Sequence, residues 1–213
     1  MIRTGVNRTI GVVSSSLLTL AVALFAISMF IGAANLSYGS SLILSCAYVV
    51  VVAALSAEST ADRKAAAYAG LAFATLYSAF ATTVYFVQLT TVLHQTAAPE
   101  ILNMLSYREL GSLMFNLDLL GYAFMSASTF FIGLTLWPGT GADRALKILL
   151  IVHGVFAPAC VVLPISNIFG SMADASSANI GVAALIFWCA YFTPVGILLV
   201  YHFKKGGSEA SAA

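Results

Sequence analysis

Charge is what this chain has least of. Only nine of its 213 residues are Lys or Arg and eight are Asp or Glu, 8% in all, against 61% hydrophobic residues and a mean hydropathy of +0.98. Soluble domains carry about 25% charged residues and about 45–50% apolar ones, so a soluble globule of this composition would have too little polar surface to cover itself. A soluble enzyme and a disordered chain are thereby excluded. The formal net charge of +1 gives no basic face to neutralise phosphates, which excludes a nucleic-acid partner. Cysteine is scarce as well: Cys46, Cys160 and Cys189 all lie inside apolar runs without a CxxC pair, so neither a disulfide framework nor a zinc site is written here. HExxH, GxSxG and phosphate-loop patterns are also absent, and nothing calls for a metal or cofactor.

What is present is a series of long apolar runs. A hydrocarbon core about 30 Å thick needs about 20 apolar residues in a helix, and only helices or closed barrels satisfy their backbone there. The runs are continuous rather than alternating, which selects helices over barrel strands. They cover 10–33, 41–57, 65–93, 119–137, 148–165 and 180–203. The fold expected is an all-α integral membrane bundle of six transmembrane helices, a single domain over residues 1–213. The first run is longer than the 7–15 apolar residues of a signal peptide and reads as a retained helix.

Orientation follows from the cations, because Lys and Arg beside a span stay cytoplasmic. Arg3, Arg8, Arg63, Lys64, Arg144, Lys147, Lys204 and Lys205 fall on one side and only Arg108 on the other. That bias places both termini in the cytoplasm of a cell-membrane protein. Of the two longer outer connections, 94–118 contains Pro99 and Glu100 ahead of Ile101, Leu102, Met104 and Leu105, which predicts a short helix on the membrane surface. The other, 166–179, with Asn167, Gly170 and Asp174, reads as an irregular cap. On the inner side, Pro138-Gly139-Thr140-Gly141 stops the fourth span and Asp143 can cap the next helix.

Helices in lipid associate through small residues and a few polar contacts. Ala66, Gly70 and Ala74 give the third span a close-packing stripe, which predicts a central third helix. Pro158, Pro164 and Pro194 should bend the fifth and sixth spans. No Asp, Glu, Lys or Arg is expected deep in any span, which speaks against an ion-coupled transporter.

The candidate site lies on the third helix. Ser78, Ala81, Tyr85, Gln88, Thr91 and Gln95 recur every three or four residues and rise along one face towards the outer surface. Gln88, the most polar of those well inside, either bonds to a neighbouring helix or holds a ligand. At the outer surface Arg108 is expected to pair with Glu100, Glu109 or Asp118, near Tyr122, as a plain ion pair or as a headgroup anchor. His153 packs or binds a ligand, and without a second ligating side chain it makes no metal or haem site. The candidate binding residues are therefore Tyr85, Gln88, Thr91, Arg108, Asp118, Tyr122 and His153, with none assigned to catalysis.

Tyr85-Phe86-Val87-Gln88-Leu89-Thr90, then Gly111-Ser112, Leu120-Gly121-Tyr122, Arg144-Ala145-Leu146 and His153-Gly154-Val155 resemble a group of uncharacterised bacterial multi-pass membrane proteins of about this length. The resemblance covers the second half of the third span through the sixth. It implies a bacterial cytoplasmic membrane and a compact six-helix unit, and brings no activity with it. The function expected is non-catalytic binding of a lipid or lipophilic small molecule in an outward-facing intramembrane cavity. A structural or partner-binding subunit and a facilitator for a small neutral solute are the alternatives. Membrane lipids, a lipophilic ligand, and a second copy or another membrane protein are the partners to look for.

Overall fold

In lipid no water takes up an unpaired N–H or C=O, so each apolar run closes its hydrogen bonds within itself as a helix. The computed structural model describes residues 4–171 and 177–205. Helices α1 (Thr4–Phe30), α2 (Ala34–Glu58), α3 (Lys64–Val87), α4 (Pro99–Leu105), α5 (Leu113–Thr135), α6 (Gly141–His153), α7 (Phe156–Ile165), α8 (Ile168–Ser171) and α9 (Ser177–Lys205) follow in order. No strand occurs among the described residues. Six stretches are long and apolar enough to cross a membrane: α1, α2, α3 with its flanking turns, α5, α6 joined to α7, and α9. The protein is all-α and multi-pass. Of the expected 166–179 cap, α8 takes up Ile168–Ser171, while Asp174 lies outside the described residues, as do Arg3 and Glu209.

Several helices begin earlier than their apolar runs. The clearest case is α5, which starts at Leu113 rather than Leu119 because the Ser112 hydroxyl accepts the Phe115 N–H at 3.1 Å and caps it. Thr140, rather than Asp143, caps α6 by accepting the Asp143 N–H at 3.2 Å, and its own hydroxyl donates to the Asp143 carboxyl. The fifth span is broken between α6 and α7. Pro158 has no N–H to give the Gly154 carbonyl and its ring crowds that oxygen; the carbonyl instead takes the Ala157 N–H at 3.1 Å, a tighter turn. The expected bend is therefore a break four residues ahead of the proline. Pro194 leaves α9 continuous.

The spans pack as a circuit. Helix α1 lies on α2 and α9, α2 on α3, α3 on α5, α5 on α6 and α7, and α6 on α9. The third helix is thus one member of the circuit; the most enclosed span is α2, because its Tyr48 reaches the middle. Tyr48 stands edge-on to Tyr77 at 5.4 Å and donates to the Ser128 hydroxyl at 2.9 Å, which in turn donates to the Gly70 carbonyl at 2.7 Å. Gly70 does mark a close approach: a Cβ there would stand 3.2 Å from the Ile132 nitrogen of α5. Where α1 meets α9, a Cβ on Gly11 or Gly196 would collide with Phe203 or Thr19. The circuit closes where α6 meets α9. Among the described residues α7 packs on α5 and meets α9 through a ring contact between Phe156 and Tyr191.

At the end where α6 begins, the cations are spent on helix ends. Arg8 donates to the Phe203 and Lys204 carbonyls of α9, Arg63 to Thr135 and Leu136 at the end of α5, Lys147 to Leu136, and Lys64 to Ser56 of α2. Each meets carbonyls at the C-terminal end of a helix, the negative end of its dipole, and the Ser56 carbonyl also accepts from Ser59. His202 of α9 stands between Glu58 of α2 at 3.1 Å and Asp143 of α6 at 3.0 Å. Carboxylate oxygens only accept, so both ring nitrogens donate and the imidazole is held as the cation.

Candidate functional site

Helix α3 ends in one π-helical turn, Gln88–Val92, where the Gln88 carbonyl accepts the Leu93 N–H at 2.9 Å. The turn aims the Gln88 side chain at the connection after α4. Fully buried, its amide nitrogen donates to the Leu105 carbonyl at 2.8 Å and its oxygen accepts the Tyr107 N–H at 3.1 Å. Of the two roles open from the sequence, the hydrogen-bonding one describes it, with backbone rather than another span as the partner. Tyr107 is thereby seated between Tyr38 at 5.5 Å and Tyr85 at 5.8 Å. Burial pushes its hydroxyl above the ordinary phenol range. Arg108 is exposed and lies within electrostatic range of Tyr38 and Tyr107. The expected pairing with Glu100, Glu109 or Asp118 is not made among the described residues.

Asp118 corrects a second expectation. With α5 beginning at Ser112, it falls in the second turn of a spanning helix, on the side facing α3, and only 7% of it is exposed. The Tyr85 hydroxyl donates to Asp118 Oδ2 at 3.3 Å, and Tyr122 lies within electrostatic range of the same carboxyl. Cys160 of α7 lies within electrostatic range of the same carboxyl. Among the described residues no cation pairs with it and no hydrogen bond reaches its second oxygen. An acid does, then, lie within a span.

Half-buried Tyr122 continues the cluster, meeting Trp188 of α9 edge-on at 5.3 Å. Trp188 donates its indole N–H to His153 Nε2 at 3.0 Å, while His153 Nδ1 meets the Thr129 hydroxyl at 2.9 Å. The indole can only donate, and the Thr129 proton points to the Ser126 carbonyl at 2.9 Å. His153 is therefore the neutral tautomer with its proton on Nδ1, and both nitrogens are used. Packing is what it does, and no lone pair is left for a metal. No group of three ligating side chains occurs among the described residues.

The structure thus joins Tyr85 and Asp118 directly, sets Tyr122 within electrostatic range of them, brings Gln88 alongside through Tyr107, and reaches His153 from Tyr122 through Trp188. Thr91 sits half-buried in the π-helical turn and bonds to none of these side chains; Arg108 stays at the rim. Sequence reasoning missed Tyr38, Tyr77, Tyr107 and Trp188 as parts of the cluster. A signal existed: tyrosines in spans normally sit in belts at the interfaces, yet Tyr48, Tyr77, Tyr85 and Tyr122 fall within the apolar runs.

Elsewhere, a depression of about 660 Å³ between α1 and α2 is lined largely by apolar chains such as Ile10, Val13, Leu17, Ile43 and Val50, and none of the candidate residues is in it. Compared with protein-family models, curated proteins and solved structures, the chain matches none.

Proposed function

We propose that the protein binds a lipid or another lipophilic small molecule, without chemical transformation, in an intramembrane cavity facing the outer side of a cell membrane. The observation that carries this reading is the seam between α7 and α9. Among the described residues the circuit of helices closes at α6, α7 packs on α5 with one ring contact to α9, and Tyr122 of α5, near buried Asp118, stands beside Trp188 of α9. Apolar chains on both borders, Val161 and Val162 of α7 and Phe187 of α9, are exposed and suit an acyl chain.

Orientation supports the outward direction. The cations gathered where α6 begins are those that the positive-inside tendency keeps in the cytoplasm, which puts Asp118 and the seam in the outer half. Helix α4, with Ile101 and Met104 exposed, then lies on the outer membrane surface. Native mass spectrometry of the protein in mild detergent, with lipid extraction of the same sample, tests the proposal. A discrete retained mass that is lost on Tyr122→Leu supports it. A bare protein in lipid-rich preparations, or a mass equally retained in that variant, overturns it.

A further inference from the structure

The chemistry around Asp118 goes further than a generic lipophile, and we infer that the bound molecule carries a cationic, amine-type head that docks on the Asp118 carboxylate beside Tyr85 and Tyr122. This rests on the lipophile-binding reading above. The carboxyl is nine-tenths buried in a spanning helix and receives one hydrogen bond, from Tyr85, and its second oxygen receives none from the described residues. A carboxylate held in lipid is tolerated when a cation compensates it. Among the described residues no cation pairs with it: Arg108 is exposed, and His153 is neutral with both nitrogens hydrogen-bonded.

The rest of the surroundings favour the same charge. Tyr77 and Tyr122 lie 6.1 Å apart at 48°, and Tyr122 also meets Trp188. The faces of such rings are negative and attract ammonium groups. An anionic head would meet a carboxylate and π faces with no free donor but phenol hydroxyls. Without a cation, burial favours the neutral acid; an ammonium head draws it into the ionised form and pairs with it, whereas a neutral hydroxyl head gains only a hydrogen bond.

Trp188 reports on the site, since the chain has two tryptophans and Trp137→Phe leaves it alone. In that protein, purified in a neutral detergent, quenching of Trp188 is titrated with brominated dodecyltrimethylammonium, dodecanol and dodecyl sulfate. The ammonium probe should quench saturably and bind about tenfold or more tighter than the alcohol. Adding Asp118→Asn should abolish that preference while alcohol binding persists, which also shows that the variant is folded. Ammonium and alcohol binding alike, sulfate binding tightest, or a preference untouched by Asp118→Asn would each overturn the cationic head and leave lipophile binding standing. Saturable quenching by none of the three would overturn both. Should Asp118→Asn not fold, the comparison among probes on the protein that retains Asp118 decides alone.

Discussion

Gln88 offers the sharpest test of how the outer connection is held. Its side chain satisfies two backbone groups, the Leu105 carbonyl and the Tyr107 N–H, neither of which has another partner within its helix. Replacing it by Leu keeps the volume and orphans both. A buried polar group without a partner costs about 1–3 kcal/mol, whereas polar contacts between spans average only about 0.6 kcal/mol. The partners lie at the bundle's end, where the connection can lift and rehydrate them, so the loss should come as local opening and not as global unfolding. We expect a cost of about 1–3 kcal/mol, read as roughly 5- to 150-fold faster hydrogen exchange at the Tyr107 amide in lipid nanodiscs. Exchange in the middle of α2 should hardly change. Gln88→Glu separates the two bonds, since an ionised carboxylate still accepts from Tyr107 but has no proton for Leu105, so it should loosen the end of α4 more than the Tyr107 amide. If the exchange of residues 99–107 in Gln88→Leu matched the parent, or rose equally throughout the bundle, the anchoring role would be wrong.

Four further outcomes follow from the packing. Nitrogen NMR of His153 should show the Nδ1–H tautomer, and Trp188→Phe, which deprives Nε2 of its donor, should cost about 1–3 kcal/mol in thermal unfolding. Gly70→Val should destabilise by about 1–3 kcal/mol, because the added carbon meets backbone of α5 rather than a yielding side chain; an unchanged melting temperature would show that α3 and α5 can part freely. Arg63→Ala removes two carbonyl contacts and a cation–π contact with Trp137 at 4.7 Å, so it should lower the melting temperature more than Arg144→Ala, whose side chain is exposed. His202→Gln should lose more stability than Glu58→Gln, since it alone breaks both arms of the link, although partial exposure keeps the Glu58 arm to about 1 kcal/mol or less.

Hydrophobicity made the six spans legible, because the demand for a closed backbone in lipid depends on run length and little else. Helix starts were harder. Composition marks where residues turn apolar, but a helix begins where a side chain can cap it, and Ser112 does so seven residues before the apolar run. That shift hid the buried carboxyl: counted from Leu119, Asp118 is a surface residue, and counted from Leu113 it lies inside. Gln88 and His153 could be singled out as polar residues in apolar surroundings, but their partners are a loop backbone 17 residues on and an indole 35 residues away, which no local spacing foretells. The small-residue stripe on α3 located a real contact at Gly70 but not the circuit, since small residues report close approach and not the order of neighbours.

The capping cations have a consequence for how freely this sequence can drift. Arg8, Arg63, Lys64 and Lys147 belong to the set whose distribution directs insertion, and each also neutralises the end of a helix that was inserted separately. A substitution that leaves the insertion signal intact, by moving a positive charge two residues along the same connection, would still strip a helix terminus of its ligand. One that preserves the contact with a neutral donor would weaken the signal. Insertion and packing therefore constrain the same few positions, and reversing the protein in the membrane by moving charges would produce an inverted chain with frayed helix ends rather than an inverted copy of this bundle.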